Sequence, residues 1–214
     1  MIRMSLPAEI AGVEIRYTLD GSPPEASSTL YSGPFPLEET ATIRARTFLP
    51  GAAPGPFSEA RFARLPPPPP APAISLADVE PLSATVGWGG APRKNRSIQD
   101  RPLSIAGKEH SKGMGAHARS DLVYALEPRF GRFVAVVGVD DEMKEHASMA
   151  SVTFSVAADG KVLAESPVLR VGDAWHFDVA LPPGGRRLVL AAGDAGDGIN
   201  ADHADWADAG FVLR

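Results

Sequence analysis

A chain of 214 residues with 44% hydrophobic and 22% charged residues can build one large core or two modest ones, which excludes global disorder. Its 21 glycines and 21 prolines interrupt it too often for a continuous helical bundle. A formal charge of -5 argues against nucleic acid or anionic lipid as partners, and the absence of cysteine excludes disulfides, thiolate metal sites and cysteine nucleophiles.

No apolar run reaches the roughly 20 residues of a membrane-spanning helix, so no membrane partner is expected. The opening MIRMSLPAEIAGVEIRY lacks the basic and apolar regions of an export signal, and the compartment stays open. The first strand pattern begins soon after: Val13, Ile15, Tyr17 and Leu19 share one face, with Glu14, Arg16 and Thr18 on the other. Asp20-Gly21 supplies a tight turn. Tyr31 and Phe35 follow in a Pro/Gly-punctuated connection, where their bulk is placed to close the edge of a small sandwich. TIRARTF then sets Ile43, Ala45 and Thr47 opposite Arg44, Arg46 and Phe48.

Residues 66–73 read PPPPPAPA, which fits neither a helix nor a central strand and reads as a short polyproline II spacer in preference to a PxxP ligand. Beyond it, DLVYAL, FVAVVGV, SVTFSVAADGKVLAES, WHFDVAL and RRLVLAAG alternate or form compact apolar runs between Pro, Gly and Asp turns. Asp159-Gly160 predicts a hairpin with Val152, Phe154 and Val156 facing the core before it. HADWADAG is compatible with one turn of helix. The expected fold is all-β: a small accessory sandwich over 1–65, a linker over 66–73 and a larger sandwich over 74–214. Strand-helix repetition of the Rossmann or barrel kind is missing, and the glycines of GWGG and KGMG lack the lysine of a phosphate-binding loop.

YTLDGSPP, then LYSGPF, then the arginine-rich strand ATIRARTF occur in the order found in the chitobiase/β-hexosaminidase C-terminal domain, which residues 5–64 resemble. That resemblance implies a truncated Ig-like sandwich accessory to a sugar-hydrolysing domain. GWGG (87–90), KGMGAHA (112–118), VGVDDE (137–142), DGKVL (159–163) and DAGDGINADHADWADA (194–209) are similar, in order, to the NPCBM/NEW2 family related to carbohydrate-binding family 51. This second resemblance implies a jelly-roll β-sandwich binding terminal sugars, galactose-containing ones prominent. MKEHASMA (143–150) departs from the glycine-rich insert usual after the paired aspartates, which affects ligand preference. Together the two resemblances imply the tail of a β-N-acetylhexosaminidase-like enzyme, as a fragment or a separately encoded piece.

A sugar site needs apolar faces for C–H-rich ring surfaces and hydrogen-bonding groups for hydroxyls. Trp88, His117, His203, Asp205 and Trp206 are the candidates, with both tryptophans reading equally well as core and His117 as a buried histidine tied to backbone. His110, His146 and His176 read as local surface or packing residues. Asp140, Asp141, Asp194, Asp197, Asp202, Asp205 and Asp208 offer oxygen ligands for a structural calcium, or cap an acidic turn region; no EF-hand loop is present. No cofactor is required. Autonomous glycoside hydrolysis needs two carboxylates about 5 to 5.5 Å or about 6.5 to 9.5 Å apart, and no such pair is legible. The expected function is therefore non-catalytic carbohydrate binding beside a glycoside hydrolase catalytic domain, the alternatives being a structural or protein-interaction module, or an autonomous hydrolase.

Overall fold

The computed structural model describes residues 1–6 and 11–214. The chain divides into two compact units, Met1–Arg64 and Leu65–Arg214. Unit one is a single antiparallel sheet ordered β2-β1-β3-β4, built from β1 (Glu14–Thr18), β2 (Thr29–Leu30), β3 (Ala41–Phe48) and β4 (Phe57–Phe62). The alternation of β1 and β3 places Ile15, Tyr17, Ile43 and Ala45 on a common face, where Tyr17 stacks on Phe35 at 4.9 Å and Tyr31 meets Phe35 edge-on at 6.4 Å. Arg44 and Glu59 pair at 2.7 Å on the other face. Gly21 takes φ +77° while Asp20 accepts the Ser22 amide at 2.9 Å, which makes the expected turn. β2 and β4 carry no alternation in the sequence; they form by pairing with β1 and β3.

Unit two is a two-layered antiparallel sandwich. Its strands in chain order are β5 (Ile74–Ser75), β6 (Ser83–Thr85), β7 (Arg93–Lys94), β8 (Leu103–Ile105), β9 (Lys108–His110), β10 (Gly113–His117) and β11 (Ser120–Ala125). They continue with β12 (Phe130–Val139), β13 (Thr153–Ala158), β14 (Lys161–Glu165), β15 (Trp175–Ala180), β16 (Arg187–Gly193) and β17 (His203–Leu213). One sheet runs β15-β12-β17-β10-β7, with β5 also paired to β17, and the other runs β14-β13-β16-β11-β6. β8 and β9 pair with each other as a hairpin that packs on the larger sandwich through the buried Leu103 and Ile105. Asp159 and Gly160 both adopt positive φ, +48° and +82°, in the tight turn between β13 and β14. Every large expected strand segment is present.

Between the sheets lie Leu122, Tyr124, Phe154, Val156, Leu188 and Leu190 from one side and Phe133, Val137, Phe177, Trp206 and Phe211 from the other. Trp206 is wholly buried, edge-on to Phe154 at 5.1 Å and stacked near Phe177 at 6.1 Å. HADWADAG is strand rather than helix: it begins β17, whose two neighbours saturate its backbone, and tertiary pairing overrides a short local preference. A register shift against β12 falls where Asp208 takes φ +47°. This bulge carries the inward set from Ala204 and Trp206 to Ala209 and Phe211.

The proline tract belongs by its contacts to unit two. The His176 Nδ1–H donates to the Pro66 carbonyl at 2.7 Å, and the Ala73 amide donates to Phe211 at 2.9 Å. Proline lacks a donor but keeps its carbonyl, so a polyproline segment can be tethered through its acceptors. Beneath it, a Cβ on Gly210 would lie 2.1 Å from the Ile74 carbonyl oxygen and 2.7 Å from Pro72 Cβ. Gly210→Ala is therefore expected to destabilise unit two by about 1–3 kcal/mol. Calorimetric unfolding should show a lower melting temperature; an unchanged one would mean that residues 72–74 do not sit on β17.

Candidate functional site

The alternation of β17 that sends Trp206 inward sends His203 and Asp205 to the opposite face of the same sheet. There, the register sets His203 beside His117 of β10, and the Asp140 amide donates to the His203 carbonyl at 3.0 Å. One step along, Asp205 lies between Gly115 of β10 and Gly138 of β12. Past Asp140 the chain enters a 3-10 helix, Asp141–His146, started by the Asp140 carboxylate accepting the Glu142 amide at 2.8 Å.

Trp88 comes from the loop after β6. The Gly87 amide donates to the His117 carbonyl at 3.1 Å, and a Cβ on Gly87 would lie 2.2 Å from the Ala118 carbonyl oxygen. Gly89, at φ +84°, faces Ile98 so closely that a Cβ there would lie 2.7 Å from its side chain. These close approaches fix an indole that is 53% exposed, with its ring 5.6 Å from His117 and 5.8 Å from His203. The two imidazoles are 5.2 Å apart. The three rings form one wall of a cleft of about 900 Å³, closed opposite by the 3-10 helix and by Ile199 and Asn200.

Both histidines are oriented through Nδ1. His117 Nδ1 lies 2.6 Å from the Ala118 carbonyl, which can only accept, so the proton is on Nδ1. His203 Nδ1 donates to Glu142 Oε1 at 2.6 Å, and Glu142 Oε2 accepts from the Ser97 hydroxyl at 2.8 Å. Burial holds His117 below the usual histidine range; the Ala118 bond opposes this, and the neighbouring His203 charge adds to it. His117 is therefore neutral at pH 7 and its Nε2 is an acceptor. The cleft combines an exposed aromatic face with at least one fixed acceptor.

Of the five sugar-site candidates, Trp88, His117 and His203 come together at the cleft. Trp206 and Asp205 do not: each is 0% exposed, Trp206 in the core and Asp205 beneath the segment that covers the sheet. Neither reaches a molecule in the cleft, because strand alternation and the covering loop put both out of solvent. Residues of MKEHASMA shape the opposite wall, including Met143, His146 and Met149.

The metal candidates fall at several places in unit two, with Asp197 and Asp202 sharing Ser151 as a partner. Asp194 pairs with Arg119 at 2.8 Å, which lowers its carboxyl below the usual range; Asp197 accepts from Ser151 at 2.8 Å; and Asp208 bonds His110 at 2.7 Å. Asp202 accepts the Ser151 amide at 2.8 Å, yet burial and then the charges of Asp197 and Asp194 push it up to about 6. Asp141 accepts from Ser104 and Gly107, both at 2.7 Å. Among the described residues, no three His, Cys, Asp or Glu side chains group as metal ligands. Asp140, Asp141, Asp194, Asp197, Asp202 and Asp208 are instead each engaged by a backbone amide, a serine hydroxyl, Arg119 or His110.

Ser97, Arg101 and Glu142 are site residues that pattern reading missed. Glu142 was visible as the third acid of VGVDDE, though nothing local marks it as a partner of His203. Ser97 has no signal of its own; Gly115 hints at it, since a Cβ there would lie 2.2 Å from the Arg96 carbonyl oxygen.

Comparison with known proteins follows this geometry. The NPCBM/NEW2 domain profile matches residues 73–212, and the chitobiase/beta-hexosaminidase C-terminal domain profile matches residues 2–58. The solved structure of CBM51 from Clostridium perfringens GH95 in complex with methyl-galactose is 31% identical, with a TM-score of 0.60, covering 65% of this chain and 99% of that one. CBM51-2 with the INT domains of Clostridium perfringens ZmpB, in complex with GlcNAc, is 28% identical at TM-score 0.60, covering 81% of this chain and 37% of that one. Alpha-1,3-galactosidase B of Akkermansia muciniphila is 34% identical over 122 residues, and a candidate endo-alpha-N-acetylgalactosaminidase of Renibacterium salmoninarum is 32% identical over 132. These matches cover 56% and 59% of this chain but only 15% and 8% of the two relatives. With the NPCBM/NEW2 profile matched across most of its length and a whole CBM51 module aligned at 31% identity, the chain belongs to the NPCBM/NEW2 domain family.

Proposed function

We propose that unit two binds a terminal sugar of the galactose class in the cleft beside Trp88, and serves without catalysis as an accessory module of a glycoside hydrolase. One observation carries this reading: an indole half in solvent stands against two imidazoles whose Nδ1 atoms are committed to Ala118 and Glu142. The apolar face of a pyranose suits the indole, and its hydroxyl hydrogens suit the Nε2 acceptor of His117. Support comes from the similar Clostridium perfringens module solved with methyl-galactose and from the names of the longer relatives, one a galactosidase and the other an N-acetylgalactosaminidase. Attachment to a catalytic domain would raise the effective concentration of that domain on a glycan.

Both oxygens of Glu142 already accept hydrogen bonds, and its side chain is 3% exposed. That placement suits holding His203 better than exchanging protons with a glycosidic oxygen. Turnover of aryl galactosides by the purified chain, abolished by Glu142→Gln, would overturn the non-catalytic reading.

Calorimetry with methyl-galactose and with N-acetylglucosamine tests the site directly. Trp88→Ala should weaken the preferred sugar at least about tenfold, equivalent to about 1.4 kcal/mol. His117→Ala removes one neutral acceptor worth about 1 kcal/mol, or roughly fivefold. A folded wild-type chain that binds neither sugar nor any glycan on an array would leave the structural-module alternative standing.

Acidity supplies a separate test. The lowered folded-state pKa of His117 means the native state takes up its proton later than the unfolded chain as pH falls. Its contribution to stability is present above the ordinary histidine value near 6.5 and is lost as pH falls through the depressed folded value. Affinity should follow the same sense: constant from pH 8 down to about 6.5, then declining as Nε2 turns from acceptor to donor. Titrations at successive pH values should show this decline in the wild type and a flatter profile in His117→Gln.

A further inference from the structure

The outer face of the sheet that carries the cleft also floors a second cavity, farther along β17. Val137 and Phe177 face the core, so Val136 and His176, register partners on β12 and β15, face outward. The bulge in β17 brings Asp208 to the same cavity. From His203 of the cleft to Asp208 is roughly 17 Å of strand, at about 3.3 Å per residue.

Its walls come from two segments that have no part in the Trp88 cleft. One is the proline tract, tied at one end by the His176 Nδ1–H to the Pro66 carbonyl at 2.7 Å and at the other by the Ala73 amide to the Phe211 carbonyl at 2.9 Å. Residues 68–72 between these ties line the cavity. With φ fixed by the proline rings, this wall is ordered at little entropic cost. The other is the β8–β9 hairpin, seated by the buried Leu103 and Ile105, which contributes Lys108 and His110. The space between them is about 650 Å³, within the roughly 300–1,000 Å³ of small-molecule sites.

Polar groups of both signs converge on this apolar frame. His110 Nδ1 donates to Asp208 Oδ2 at 2.7 Å from a side chain that is 1% exposed, which fixes a carboxylate that is itself 41% exposed. Oδ1 is left to accept. Lys112 gives one donor to Asp78 at 3.1 Å and keeps two more, and Lys108 and Ser111 are exposed beside it.

This mixture selects a ligand class by exclusion. The Asp208 carboxylate repels an anion, and the two ammoniums repel a cation. A peptide docking as an added strand needs an unpaired edge, whereas the floor here is a sheet face in which β12 is already paired on both sides. A neutral ligand with many hydroxyls and a C–H-rich face suits the donors, the acceptor and the proline rings together.

We propose that the cavity between the proline tract and the β8–β9 hairpin is a second site, for a neutral saccharide, separate from the cleft beside Trp88 and not dependent on it. The tract is then a recognition wall as well as a connection. Two sites on one sheet let unit two hold a branched or clustered glycan at two points, which raises avidity through effective concentration.

The test is amide NMR on the full 214-residue chain, as wild type and as Trp88→Ala, titrated to high millimolar methyl-galactose, N-acetylglucosamine and N-acetyllactosamine. For at least one of these sugars, saturable shifts are expected at Lys108, Ser111, His176 and Asp208 in both proteins. Asp208→Asn should weaken that binding about fivefold, the loss of one hydrogen bond, and Ala174→Phe, which puts a ring into the cavity, should abolish it. If Ala174→Phe does not fold, the exposed Lys108→Ala replaces it and should weaken binding several-fold. No saturable shift at these residues with any of the three sugars would overturn the proposal. Shifts undiminished in folded Asp208→Asn and in the second variant would overturn the placement of the site. Equal shifts with acetylated Asp-Ala-Asp would overturn the saccharide class in favour of an anion drawn to the lysines. Sugar binding in the cleft is read separately, from His117 and His203 in the wild type, so failure at one site is distinguishable from failure at the other.

Discussion

The double coverage of β17 governs unit two. Hydrogen-bonded to β12 on one side and to β10 and β5 on the other, this strand has no free edge, and its alternation divides side chains between two environments. Trp206 and Ala204 face the core, while His203 and Asp205 face the outer side. Sliding β17 by one residue would exchange those sets, placing an indole on the surface and two ionisable groups among Phe133, Phe154 and Phe177. The register is therefore held by hydrophobic burial, and the position of the histidines is a consequence of where the tryptophan must go.

Orientation is a second matter, and the backbone alone does not settle it. An imidazole on a strand can present either nitrogen. Here the Ala118 carbonyl and the Glu142 carboxylate commit Nδ1 of each ring, and Ser97 occupies the other oxygen of Glu142. The loop carrying Ser97 lies against the sheet because Gly115 has no Cβ. A glycine in β10 thus bears on the aim of a histidine in β17 through two intermediate side chains.

Much of this is legible in the sequence. Alternation exposed the main strands because a strand buried on one face must repeat every two residues, and Asp159-Gly160 marked a hairpin because the turn needs positive φ at both residues. The motif order identified both units and pointed to Trp88, His117 and His203. Spacing could not tell Trp206 and Asp205 from His203, since neighbours on a strand share a motif yet point to opposite faces, and residues on one face differ in what covers them. Nor could it see Ser97 or Glu142, whose roles arise from contacts across 45 and 61 positions of chain. The proline tract read as a spacer from its missing donors, whereas its attachment depends on carbonyls, which composition does not display.

A carboxylate's capacity for chemistry depends on what already holds it. Catalytic acids of the glycosidase kind need a proton-exchanging oxygen that faces substrate, with a second carboxyl across the cleft. In this cleft Glu142 is saturated by His203 and Ser97, Asp141 gives one oxygen to Ser104 and Gly107, and Asp140 is committed to two amides. These acids organise backbone and imidazole, and the surfaces open to a ligand include the indole face, an imidazole nitrogen and the exposed side chains of Arg101 and Lys144. A cleft with an exposed indole and an acceptor imidazole gains from holding a sugar ring in its ground state, whereas catalysis asks in addition for a group that favours the transition state over that ground state.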